Sequence, residues 1–153
     1  MTDHAPSGPR ALSVVVFSGA FAKIHYALVM AATMAALGRP ATLFFTMESL
    51  DALRGPAGEA APWRALPASD TGAVEGCTTG GALDDLFAER GTATFEDLLA
   101  SAAEIGVRFM VCEMGLKARA LSRASLRDDL AIEVTGMATL LNATPEGAPL
   151  VFV

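Results

Sequence analysis

This chain of 153 residues has only two cysteines and two histidines. They show no zinc-ligand spacing, and two cysteines do not staple a small secreted domain. In the cytosol such thiols stay free or are oxidised transiently. Charge is scarce too, at 18% of residues, and the formal net charge is -6. That balance argues against nucleic acid and against anionic membrane surfaces as main partners. Long apolar runs are missing. The longest uncharged helical stretch, residues 24–38, is shorter than the roughly 20 residues that span a bilayer. It follows a strand instead of a basic leader, so no export signal is read and a cytoplasmic location is expected. There is no Gly-x-Gly-x-x-Gly and no Walker lysine pattern, which leaves a nucleotide site unsupported. No repeat, low-complexity tract or second domain is evident, and neither cofactor nor metal is expected.

What the chain does have is apolar residues, 52% of the total. With so little charge, part of the surface is expected to be buried against other copies of the chain. The segment 24–37 is apolar on every helical face, and such a helix needs cover on more than one side. A homo-oligomer is therefore expected.

Residues 12–17 form a valine-rich apolar run that reads as a buried strand. A turn at Ser18-Gly19-Ala20 leads into a helix over 21–37, stopped by Gly38 and Pro40. Residues 41–46 read as the second strand, and 48–53 as one or two helical turns. The segment 54–93 is rich in Gly, Pro and Ala and reads as an irregular loop and helix insertion, holding one helix over 82–90. Thr94 caps a helix over 95–105, with Asp97 in the capping-box position. A strand ending at Cys112 follows, then a short helix to about Leu121 and a capped turn at Ser125. Residues 132–134 form a fourth strand, 136–143 a short helix and 150–153 a last strand. Residues 1–10 are a loose tail. Alternating strands and helices predict an α/β fold, a single-domain Rossmann-like three-layer sandwich with a mainly parallel sheet of about five strands, over residues 11–153.

Cys112 is the leading candidate for chemistry. The run Val107-Arg108-Phe109-Met110-Val111-Cys112 puts a thiol at the carboxyl edge of a strand and the amino end of a helix. Ligands bind at that edge in open α/β sheets, and the helix terminus favours an anion, including a thiolate. The plain alternative is a buried structural cysteine. A thiolate there could accept sulfur as a persulfide, attack a disulfide or be oxidised, and nothing local distinguishes these. Cys77, on the Gly-rich stretch 75–81, could reach it as a resolving thiol or be an ordinary loop cysteine. Lys23 stands in a first helical turn, where the dipole disfavours a cation, so it either serves a nearby anion or is simply solvated. Glu48 and Glu113 follow strands at the presumed active edge. Gly19, Thr46, Met114 and Gly115 complete the supporting set. His25 has no catalytic partner that any pattern places beside it.

The segments Phe95-Glu96-Asp97-Leu98-Leu99, Ala103-Glu104-Ile105-Gly106-Val107, Val111-Cys112-Glu113-Met114, Gly136-Met137-Ala138-Thr139 and Leu150-Val151-Phe152 resemble the DsrE/DsrF-like family. The likeness is to its homo-oligomeric branch of sulfurtransferase or "peroxiredoxin family" proteins. Lys23, Gly38 and Phe44-Phe45-Thr46, then Leu50 and Leu53, fit the same pattern. The resemblance implies a cytoplasmic sulfur-relay protein, a sulfurtransferase or carrier, with sulfane sulfur held as a persulfide on Cys112. It also implies a trimer, tetramer or hexamer, with sulfur donor and acceptor proteins or small thiols as partners. The chain departs from the family pattern at Ala20-Phe21-Ala22, where an acidic residue often stands. It departs again at Met47-Glu48-Ser49-Leu50, where aromatic–Gly–Leu is common. The competing reading is a non-catalytic oligomeric module that binds a small ligand or partner at the same edge.

Overall fold

The apolar runs of the sequence become the strands of one sheet. The computed structural model describes residues 7–153. Strands β1 (Leu12–Val16), β2 (Ala41–Phe45), β3 (Arg108–Cys112), β4 (Ile132–Thr135) and β5 (Leu150–Phe152) lie in the order β4-β3-β2-β1-β5, and every pairing is parallel. β1 and β2 are buried along their whole length, as central strands covered on both faces must be. The helices are α1 (Phe21–Ala36), α2 (Gly80–Glu89), α3 (Phe95–Glu104), α4 (Glu113–Ala118) and α5 (Met137–Ala143). The result is a Rossmann-like, three-layer α/β domain.

Strand order decides which face each helix takes. From β1 to β4 the chain steps one strand at a time in one direction, so right-handed crossovers put α1 to α4 on one face. The connection from β4 to β5 runs back across the whole sheet, and the same rule sends α5 to the opposite face. Burial follows this division. Val14, Val16, Leu43, Phe45, Phe109 and Val111 share a large core with Phe21, Ile24 and Leu28 of α1, Leu99 of α3 and Leu116 of α4. On the other face Val15, Phe44, Met110 and Cys112 form a small cluster with Leu140 of α5. The third layer is thus one helix of 7 residues, of which only Leu140 is buried.

The segment between β2 and α3 is irregular but packed. The helical turns expected at 48–53 are a 3-10 helix over Met47–Ala52, and a second one, Pro62–Ala65, has no counterpart in the sequence reading. It buries Trp63, whose ring stacks on Phe21 at 5.5 Å and meets Phe95 at 4.6 Å. Trp63 Nε1 donates to Glu96 at 2.8 Å, as a buried indole requires.

Two local expectations need correction. Helix α2 starts at Gly80, not residue 82, because the Thr79 hydroxyl accepts from the Ala82 amide and caps it there. The capped turn after α4 starts at Ser122, whose amide donates to Ser125 Oγ, so Ser125 closes the turn instead of opening it. Helix α1 buries Phe21, Ile24, His25, Ala27, Leu28, Ala31 and Met34, while Tyr26 and, just past its end, Leu37 are 63% exposed, so that side has little cover among the described residues. The Thr94 cap is as expected, accepting from Asp97 N at 3.4 Å. Residues 1–6 of the tail, including His4, lie outside the described residues. Residues 7–10 are exposed, and Arg39 donates to the Pro9 carbonyl at 2.9 Å.

Candidate functional site

Cys112 ends β3 and is the N-cap residue of α4. Its register partner on β4 is Thr135, so their side chains leave the sheet on the same face, one strand apart. After Cys112 the chain turns to the α1 face, and after Thr135 it turns to the α5 face. Two neighbouring strands whose crossovers part in this way make a topological switch point, where open α/β sheets bind ligands. The thiol does not line an open crevice, however. It is 5% exposed and lies with Val15, Phe44, Met110 and Leu140 under α5. Nor does it cap α4, since no side-chain capping bond forms. Helix α4 has 6 residues, with Glu113 in its first turn.

The turn after β2 is locked to the cysteine segment. A Cβ on Gly115 would stand 2.7 Å from Thr46 Oγ1 and 3.0 Å from the Met47 amide nitrogen. Glycine at 115 therefore lets α4 sit directly on the β2 turn. Met47 has φ 53, in the left-handed region that a side chain disfavours. Arg119, just past α4, holds it there by donating to the Met47 carbonyl at 2.9 Å and to both oxygens of Asp51. Thr46 is buried and its amide donates to Ser49 Oγ, so its role in the fold is to build this turn. Met114 is 66% exposed, and Glu113 is exposed beside it.

Lys23 does find an anion, and it is Asp70 from the irregular segment. Ser18 Oγ donates to the same carboxylate at 2.8 Å. Hydrogen bonds from Lys23 first and Ser18 second hold Asp70 below the usual carboxylate range. Gly19 is buried against Glu48, where a Cβ would meet Glu48 Cβ at 2.9 Å. These groups border a cleft of about 540 Å³ at the carboxyl edge, lined by Phe17, Ser18, Lys23, Met47, Glu48, Asp70, Arg119 and Phe152 among others. Phe17 and Phe152 pack at 5.3 Å and both stay exposed. Cys112 is not part of that wall.

The two thiols are kept apart. Both are free, and Cys77 packs against the large core on the α1 face, whereas Cys112 belongs to the cluster on the other face. The sheet lies between them, so of the two readings of Cys77 the arrangement favours the ordinary loop cysteine over a resolving thiol. His25 is structural: its Nε2 donates to the Ala93 carbonyl at 2.8 Å, and its ring packs on Phe87 at 4.8 Å. Nearby Asp84 is buried and accepts the Phe95 amide at 2.7 Å, and burial raises its pKa above 3.8. Among the described residues no group of three His, Cys, Asp or Glu side chains is arranged to hold a metal, and no helix is long and apolar enough to cross a membrane.

Sequence reasoning missed Thr135, Leu140, Asp70 and Arg119. Only Thr135 had a local signal: Ile132 and Val134 alternate with Glu133 and Thr135, which puts Thr135 on the less apolar face of β4.

The DsrE/DsrF/DrsH-like family model matches residues 9–149, nearly the whole chain. The chain belongs to the DsrE/DsrF/DrsH-like family. No curated protein matches it. Among solved structures, this DsrE-like chain is similar to the "Protein of Unknown Function MTH1491" from Methanobacterium thermoautotrophicum. The two share 12% identity at a TM-score of 0.49, over 94% of this chain and 99% of the other.

Proposed function

We propose that this DsrE-like chain is a sulfur-relay protein, a sulfurtransferase or sulfur carrier that holds sulfane sulfur as a persulfide on Cys112. One observation carries the reading: a cysteine ends β3 at the switch point of a DsrE-like sheet. The Cys112 thiolate attacks the outer sulfur of a donor persulfide. The donor S–S bond breaks, the donor leaves as a thiol after taking up a proton, and Cys112 carries one added sulfur. An acceptor thiolate then attacks that outer sulfur and Cys112 leaves. No net oxidant is needed. Donors and acceptors are other sulfur-carrying proteins or small thiols, in the cytoplasm, and neither nucleic acid nor membrane takes part.

The acting form is a homo-oligomer, a trimer, tetramer or hexamer. Its support is the apolar groove of about 400 Å³ between α1 and the edge strand β5. Tyr26, Val29, Met30, Leu37, Pro149 and Val151 line it, with no charged side chain among the lining residues.

Mass spectrometry after incubation with a low-molecular-weight persulfide tests the reading. Native protein gains one sulfur atom, localised to Cys112, and Cys112→Ser does not. Sulfur found only on Cys77, or retained in the Ser variant, overturns it.

A second reading has its own observation. The cleft beside Phe17, Lys23 and Glu48 is at the carboxyl edge yet excludes the thiol, which suits a non-catalytic module that binds a small ligand or a partner.

A further inference from the structure

We infer that α5 is a lid over Cys112, hinged at Gly136 and at the turn after Thr144, and that its opening governs the reactivity of the thiol. The inference rests on the reading of Cys112 as the sulfur-carrying residue and adds how that residue is guarded.

The closed state needs explaining first. A thiolate that attacks an outside sulfur must be reached along the S–S axis, and Cys112 is 5% exposed. Its neighbours Val15, Phe44 and Met110 belong to the central strands, each paired on both sides, and cannot yield without breaking the sheet. Leu140 is the one member of that cluster outside the sheet, so access comes from its side.

The attachment of α5 is slight. Leu140 is its only buried residue, while Met137 and Leu141 are 41% and 51% exposed. No side chain caps its amino end at Gly136. At the other end, hydroxyl groups of Ser13 and Thr144 meet at 2.9 Å, and Thr144 Oγ1 turns back to the Leu140 carbonyl. One leucine and one hydroxyl pair thus hold a helix of 7 residues to the sheet. Segments with so few buried contacts open locally far more often than the whole domain unfolds.

The hinge has the right freedom. No atom outside its chain neighbours lies within 4 Å of where a Gly136 Cβ would stand, and its φ of -109 suits any residue. Glycine is therefore not required by the closed form. Its effect is on the open one, where it widens the conformations available to the swung helix. The closed lid shields the thiol from chance oxidants, and the open lid lets a donor or acceptor in.

Alkylation by iodoacetamide, read residue by residue by mass spectrometry on the full chain, tests this. Cys112 reacts more slowly than Cys77 in the native protein. Leu140→Ala speeds Cys112 alkylation at least tenfold and leaves Cys77 unchanged. Gly136→Ala slows Cys112 about two- to fivefold, because an alanine hinge narrows the open ensemble. Hydrogen exchange run in parallel shows residues 137–143 exchanging well before β2, in native protein and in both variants. If Cys112 reacts as fast as an unfolded thiol, or if neither variant changes its rate, α5 is not a lid. If its reaction keeps pace with exchange of β2, global unfolding is the gate and the inference fails. Iodoacetamide needs no persulfide chemistry, so a chain that passes here yet takes no sulfur keeps the lid and loses the proposed function.

Discussion

Cys112 and Thr135 face each other across β3 and β4, at the point where the chain leaves the sheet toward opposite faces. Alternation along β3 puts the thiol with Met110 on the face that α5 covers.

Oxidation offers the first check on that geometry. A disulfide needs its Cα atoms within about 7 Å, and the sheet separates Cys77 from Cys112. Native protein treated with diamide is expected to form no intramolecular disulfide, as judged by intact mass and by peptide mapping without reductant. A Cys77–Cys112 bond formed without loss of the fold would contradict the arrangement.

Gly115→Ala is expected to destabilise the domain by about 1–3 kcal/mol, the range for overpacking a tight contact. The new methyl meets a backbone nitrogen and the buried Thr46 hydroxyl, neither of which swings aside. A shift of the urea midpoint at unchanged slope reads the effect. Gly136→Ala, with nothing in its way, is the control.

Asp84 sets a pH dependence. Burial raises its pKa in the folded protein above 3.8, against the lowering effect of the Phe95 amide bond. The folded state therefore holds the proton more tightly than the unfolded state. The contribution is full below that ordinary value and is lost as pH rises through the raised one. Asp84→Asn keeps an oxygen for the Phe95 amide and removes the titration. Its stability is expected to gain on the native protein as pH rises from 3 toward 7, as measured by urea midpoints across roughly that range. Asp84→Ala leaves the amide unpaired and is expected to cost about 1–3 kcal/mol. Parallel pH profiles for native and Asn proteins would rule the assignment out.

Assembly is checked on α1. Tyr26→Asp or Leu37→Asp puts a charge on the apolar groove at a side chain that is 63% exposed within one chain. Light scattering is expected to give an oligomer for native protein and a smaller species for the variants, with helix content unchanged. A native monomer at micromolar concentration would remove the interface.

Features written in neighbouring residues were legible. The valine run of β1, the Thr94 cap and the stop at Gly38 each depend on a few adjacent positions, and the structure has them where the pattern put them. Contacts across long stretches of chain were not legible. Lys23 meets Asp70 because an irregular segment folds back over the start of α1, and no periodicity announces that. The face on which Cys112 emerges follows from strand order, which alternation within one strand cannot supply. Trp63 escaped because its turn has no helical or strand period, although its ring completes the aromatic packing around Phe21.

The pairing of β1 with β5 has a kinetic meaning. It joins Ser13 to Leu150, so nearly the whole chain must be looped before that contact forms. The strands from β1 to β4 follow one another in sequence and can assemble stepwise. On this account β5 docks last and draws α5 across the sheet behind it. Until then Val15, Phe44 and Met110 are bare and the Cys112 thiol stands open. In a refolding experiment the cysteine that is hardest to reach in the native protein is therefore the last to become protected.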